Sequence, residues 1–245
     1  MSSVKKNKKI LLLVGPQGSG NHLWSKVFAL HKDVNGWEEL LDESDPENYL
    51  IPHYREPHIH IWEDIPAITE EIMGDKDYLV VSASLPYWKS NKLSIPDIDG
   101  FAEHVQKLGI EVIVGVIGRD RNILTKQQTR LRGSPSFGVM TQVVHRLLTA
   151  TPFFLSTELL YLYRQSYLES LSKWLDFPID YENPHVEHIL REDANAKYVT
   201  HAENPFVDAI VRSRGNKLRD EKNKNNIIKL VTNESVTVQE GKSNE

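Results

Sequence analysis

Four short apolar runs are spaced widely along the chain: residues 10–14 (ILLLV), 78–82 (YLVVS), 110–117 (IEVIVGVI) and 153–157 (FFLST). None alternates apolar with polar positions, as a strand with one wet face would; continuous apolar runs of this length are the pattern of strands covered on both faces. Each is separated from the next by enough chain for a crossover helix. The expectation is an α/β fold in three layers, with a central, mostly parallel sheet and helices on both faces.

The intervening segments carry the helical period. Within residues 101–108 (FAEHVQKL), Phe101, Val105 and Leu108 share one face; Asp97 or Asp99 can cap the start and Gly109 the end. Residues 164–175 place Tyr167, Leu168, Leu171, Trp174 and Leu175 on one stripe. By contrast, residues 34–66 are acidic and rich in proline and aromatics with no sustained period, which predicts a long connection with little regular structure, of the kind that often carries substrate contacts. From residue 233 the chain is polar and reads as a disordered tail, so the expected organisation is one domain over residues 1–232 and a tail over 233–245.

Composition narrows the chemistry. With 245 residues of which 40% are hydrophobic, the chain can build one sizeable core. A net charge of -5 gives no general attraction to nucleic acid or to an anionic membrane, so neither is an expected partner and any anion site must be local. The absence of cysteine excludes disulfides, thiolate zinc sites and cysteine nucleophiles, and suits the reducing cytoplasm, the expected location. The basic start and its apolar run end at Gly15, too soon for an export signal. No stretch approaches the roughly 20 apolar residues of a membrane span.

The first apolar run passes straight into Gly15-Pro16-Gln17-Gly18-Ser19-Gly20 and then into a helix-like segment from Asn21. A turn of small residues between a buried strand and a helix start aims backbone N–H groups and the positive helix end at an anion, and glycine lets a phosphate approach the main chain. An ordinary strand-to-helix turn is the plainer alternative. The usual nucleotide-triphosphatase pattern ends in Gly-Lys-Ser/Thr, whereas Asn21 and His22 follow Gly20 here, so both the lysine and the magnesium-binding hydroxyl are missing.

A second cationic element follows the third run. Gly118-Arg119-Asp120-Arg121 leads into a helical segment, and Arg119, Arg121, Lys126, Arg130 and Arg132 are concentrated there. A guanidinium at a strand's carboxyl end can grip a phosphate bidentately, which favours binding for Arg119 and Arg121. A solvated basic face explains the other three equally well.

Taken in order, these elements resemble the sulfotransferase family that uses 3′-phosphoadenosine 5′-phosphosulfate. Ser19-Gly20-Asn21-His22-Leu23-Trp24 is similar to its 5′-phosphosulfate loop, and Gly118-Arg119-Asp120 with the following helix to its 3′-phosphate motif. Val80 to Pro86 corresponds to its strand ending in Thr-His-x-Pro, Phe154 to Leu159 to its strand ending in Tyr-Glu-x-Leu, and Arg214-Gly215 to its late Arg-Lys-Gly loop. The resemblance covers most of residues 10–218 and departs from the family in three places: the loop lysine falls on Gly18, the catalytic histidine on Ser84, and the 3′-site serine on Gln127, with Thr129 available in a shifted alignment.

What the resemblance implies is a P-loop-like fold and sulfuryl transfer, without a metal, to a hydroxyl or amine of a small molecule or glycan that the sequence does not identify; oligomeric state is equally unspecified. Donor contacts are expected from Gly15, Gln17, Gly18, Ser19, Gly20, Asn21, His22, Arg119, Arg121, Gln127 or Thr129, Arg214 and Gly215, and catalytic roles from His22 and Ser84. A helix-start residue making a local hydrogen bond is the simpler role for His22. An atypical P-loop kinase and an inactive nucleotide-binding protein are the rival readings. His53, His58 and His60 lie in the long connection; His58 and His60 alternate with isoleucines, as on one face of a strand, and without a third ligand they are expected to be exposed or to face the acceptor rather than bind metal. Tyr87 and Trp88 either line an acceptor pocket or pack, and Tyr161, Tyr163 and Tyr167 are expected to pack.

Overall fold

Residues 10–14 cannot be satisfied on a surface: they need apolar neighbours on both faces and backbone partners on both edges. The computed structural model, which describes residues 8–36, 58–89, 92–132, 136–147 and 152–191, supplies both. Strand β1 (Lys9–Pro16) is buried along its whole length. It pairs in parallel with β3 (Tyr78–Leu85) on one edge and with β6 (Glu111–Gly118) on the other. With β2 (Val34–Asn35) and β7 (Phe153–Ser156), the described residues form a five-stranded, all-parallel sheet in the order β2-β3-β1-β6-β7. A separate antiparallel pair, β4 (Tyr87–Lys89) and β5 (Lys92–Ser94), follows the cis Leu85–Pro86 peptide.

Alternate residues of β1 serve opposite faces, and each face has its own core. Ile10, Leu12 and Val14 pack with Ile98, Phe101 and Val105 of α2 (Ile98–Lys107), with Met140 and Val143 of α4 (Phe137–Leu147), and with residues of three short 3₁₀ turns between residues 59 and 73. Leu11 and Leu13 pack with Trp24, Val27 and Phe28 of α1 (Asn21–Ala29), with Leu160, Leu168 and Leu171 of α5 (Thr157–Ser172), and with Val186, Ile189 and Leu190 of α6 (His185–Arg191). The fold is therefore the expected α/β arrangement of three layers. At the amino end of β1, Lys9 is buried and pairs with Glu111, at 3.2 Å, and with Asp176.

Asp97 is the cap of α2, accepting from Gly100 N at 3.0 Å, and Phe101 and Val105 are fully buried as their spacing requires. The second amphipathic helix differs from its expected span. It begins at Thr157, where Ser156 Oγ accepts from Leu159 N, and it is broken at Arg164, whose φ of 45° is not helical. Because it ends at Ser172, the stripe does not extend to Trp174, which is 80% exposed. Tyr167 packs edge-on against Trp24 and Tyr161 lies against the same core, but Tyr163 is 61% exposed.

The pair His58 and His60 does not lie on a strand. His58 has a φ of 58° and residues 59–62 form a 3₁₀ turn, in which the neighbours Ile61 and Trp62 are both buried. Two adjacent buried side chains are incompatible with a strand wetted on one face. Tyr87 belongs to the core, its hydroxyl donating to the Trp62 carbonyl at 3.2 Å. The side chain of Trp88, His53 and the tail over residues 233–245 lie outside the described residues.

Lys26 is buried within α1, and burial lowers its pKa to about 8. In the unfolded chain the ammonium titrates at its ordinary value of 10.5. Between those two values the unfolded state binds more protons, so this group makes stability rise with pH across that window. Chemical denaturation of the protein and of Lys26→Met across pH 7 to 10.5 is expected to show that rise in the parent and a flatter profile in the variant; parallel profiles would refute the assignment.

Candidate functional site

Open α/β sheets bind ligands beyond the carboxyl ends of strands, where neighbouring connections leave in opposite directions. Here that point is the tip of β1. Its pairing with β3 runs on through Gly15–Ser84 and Pro16–Leu85, whereas its pairing with β6 stops at Val14–Val116. The glycine-rich loop occupies the place where β1 parts from β6.

The loop closes through small residues. Ser19 N donates to Pro16 O at 3.0 Å, and Gly20, with a φ of 109°, caps α1. A Cβ on Gly15 would overlap Ser19 Oγ and lie 2.6 Å from Asn21 Oδ1, so this position admits no side chain. Ser19 is fully buried, its hydroxyl donating to Asn21 Oδ1 at 2.9 Å. Asn21 is also buried, and its Nδ2 donates to Ser84 Oγ at 3.0 Å and to the carbonyls of Gly15 and Ala83 at 3.4 Å. This amide therefore joins the tips of β1 and β3.

From the other side, β6 and α3 (Arg121–Arg132) reach the loop. The side chain of Arg119 is 3% exposed and is turned onto the loop, its Nη1 donating to Gly18 O at 3.0 Å, with Nε 3.9 Å from Glu158 Oε1. Gln127 is buried beneath Gly18: a Cβ at that glycine, whose φ is +88°, would lie 2.6 Å from Gln127 Oε1. Arg121 and Thr129 lie on exposed positions of α3, so of the two alternatives it is Gln127 that meets the loop. His22 is half-buried in the first turn of α1, and Arg214 and Gly215 lie outside the described residues.

Two contacts are absent from the sequence-based expectation. Gln128, 1% exposed, donates from Nε2 to Gln17 O at 2.7 Å and accepts from Ser136 N at 2.7 Å. Thr157, 1% exposed, donates from Oγ1 to Ser19 O at 2.6 Å and accepts from Trp24 Nε1 at 3.2 Å. Gln17 itself is buried, and its Oε1 has no hydrogen-bond partner among the described residues.

A cavity of about 610 Å³ lies elsewhere, lined by Asn35, His58, Glu63, Asp64 and Glu71 among others. Its carboxylates make it unsuited to an anion, and Asn35 pairs at the amino end of β3, well away from the loop. Among the described residues no group of three His, Asp or Glu side chains can hold a metal, and no helix is long and apolar enough to cross a membrane.

No protein-family model, curated protein or solved structure matches the chain.

Gly18 and Gln127 are expected to be sterically interdependent. Gly18→Ala should cost about 1–2 kcal/mol for the left-handed backbone alone, and pairing it with Gln127→Ala should recover only the clash component. Gly18→Lys should lower stability rather than supply an anion-binding cation. Denaturant titration of the single and double variants checks this; strict additivity would refute the coupling.

Proposed function

We propose that the chain is a sulfotransferase-like enzyme that binds 3′-phosphoadenosine 5′-phosphosulfate and passes its sulfuryl group to a hydroxyl or amine. The bond between sulfur and the bridging phosphate oxygen breaks, a bond from sulfur to the acceptor forms, the acceptor gives up a proton, and 3′-phosphoadenosine 5′-phosphate leaves. This in-line displacement needs positioning, a base, and positive charge at the leaving phosphate.

The observation that carries the reading is the state of position 21. Where a magnesium–nucleotide loop needs a lysine, Asn21 is buried and its amide is committed to Ser84 Oγ and the carbonyls of Gly15 and Ala83. Phosphate recognition then falls to backbone N–H groups, the amino end of α1 and the Arg119–Arg121 cations. That arrangement suits a donor needing no metal better than it suits ATP with magnesium. In this reading the loop and His22 hold the 5′-phosphosulfate, Arg121 supplies charge for the 3′-phosphate, and Arg119, tied to Gly18 O, holds the loop and adds positive charge beside it.

His22, at the start of α1, is assigned the hydrogen bond or proton to the leaving phosphate. Ser84 is assigned to the acceptor side. Its hydroxyl oxygen accepts from Asn21 Nδ2 at 3.0 Å, which fixes the side chain at the tip of β3, and Ser84 is assigned there as a group that positions the acceptor. The P-loop-like character of the fold and a cytoplasmic location belong to the same proposal.

Calorimetric titration tests it. 3′-Phosphoadenosine 5′-phosphate is expected to bind at least about tenfold tighter than ATP with magnesium, a difference of about 1.4 kcal/mol. Arg121→Ala should shrink that preference, and Arg119→Ala should weaken both ligands. Tighter binding of ATP, or binding of neither, would overturn the proposal. If the donor binds, His22→Ala is expected to slow its breakdown by about a hundredfold or more, the usual contribution of a general acid, measured as release of the bisphosphate.

A further inference from the structure

Three successive loop carbonyls, those of Gln17, Gly18 and Ser19, each accept a hydrogen bond from a side chain on another element. The donors are Gln128 Nε2 at 2.7 Å, Arg119 Nη1 at 3.0 Å and Thr157 Oγ1 at 2.6 Å. A trans peptide holds the carbonyl of one residue and the N–H of the next on opposite sides. Tying these carbonyls therefore fixes the direction of the N–H groups of Gly18, Ser19 and Gly20, all turned away from their ties. The Ser19 N–H closes the turn onto Pro16 O. No hydrogen bond among the described residues uses the N–H of Gly18 or Gly20.

We propose that Gln128 and Thr157 are positioning residues which, with Arg119, hold the Gly18 and Gly20 N–H groups in the orientation that receives a phosphate, so that the loop is set before the ligand arrives. The proposal rests on the reading that this loop is the phosphate site. It explains why two buried polar side chains outside the motif are spent on loop carbonyls. Each is also anchored by a second bond: Gln128 through Ser136 N, and Thr157 through Trp24 Nε1. The ties come from two separate elements, α3 and the start of α5. A donor pair fixed in advance binds an anion without the cost of ordering it at the moment of binding.

The test titrates the full chain with inorganic pyrophosphate and, separately, with 3′-phosphoadenosine 5′-phosphate. The chains compared are the parent, Gln128→Met, Thr157→Val and Thr157→Ser, with circular dichroism confirming that each is folded at the temperature used. Gln128→Met and Thr157→Val are each expected to bind pyrophosphate about tenfold more weakly, the loss that corresponds to about 1.4 kcal/mol. Thr157→Ser keeps the hydroxyl and should stay within about twofold of the parent, a rescue that a purely space-filling role would not give.

In the parent, the amide resonances of Gly18 and Gly20 should shift when pyrophosphate is added, a readout that survives even if a variant does not fold. Unchanged pyrophosphate affinity in folded Gln128→Met and Thr157→Val, or glycine amides that do not respond, would overturn the proposal, as would a parent that binds no pyrophosphate. A parent that binds pyrophosphate but prefers ATP with magnesium would overturn the sulfotransferase reading alone.

Discussion

Everything in this fold depends on strand β1 having no free side. Its faces lie in two separate cores and its edges are paired with β3 and β6. The chain can therefore emerge only at the strand's tip, and it must turn there under neighbours that already occupy the space. Ser19 and Asn21 fill the volume over Gly15, and Gln127 fills the volume beside Gly18. The loop is consequently among the most packed parts of the molecule, with Gln17, Ser19 and Asn21 each no more than 5% exposed. A glycine-rich loop is often pictured as a pliable flap. Here Gly15 is required by crowding and Gly18 and Gly20 by their positive φ, and the loop is packed against its neighbours.

The architecture was legible because burial on both faces leaves an unmistakable pattern. A run such as residues 10–14 has no other stable home, and the spacing of four such runs leaves room for crossover helices. Phe101 and Val105 are buried as their period demands, and Asp97 is the cap. The failures are equally physical. The period carried the stripe of α5 to Trp174, but periodicity does not say where hydrogen bonding stops, and the helix ends at Ser172. Alternation over residues 58–61 imitated a strand until the adjacent burial of Ile61 and Trp62 showed a tighter coil. Val186, Ile189 and Leu190 carried the spacing of a helix face, but α6 is only seven residues long, too short for its period to stand out.

The candidate site was legible in its local part and opaque in its long-range part. The turn of small residues after an apolar strand announces itself, as does the arginine after β6. Nothing in the sequence says that Arg119 is turned back onto Gly18 O, or that the supports of the loop are Gln128 and Thr157. Those donors lie 111 and 138 residues from their acceptors, and which helix residue faces the loop depends on how α3 and α5 seat against the sheet. A buried glutamine in a basic helix is a weak signal, but it was the available one: a face carrying Gln127 and Gln128 is poorly explained by solvation alone.

The contact between Gly18 and Gln127 has a bearing on how this chain can change. In the sequence, Gly18 and Gln127 stand more than a hundred residues apart and read as unrelated. In the structure they meet, because the glutamine amide occupies the volume that a Cβ at position 18 would enter. A side chain at 18 requires the end of Gln127 to swing aside and the backbone to bear its positive φ, while shrinking 127 opens a gap against the loop. The two positions are coupled: which side chain one can carry depends on what stands at the other.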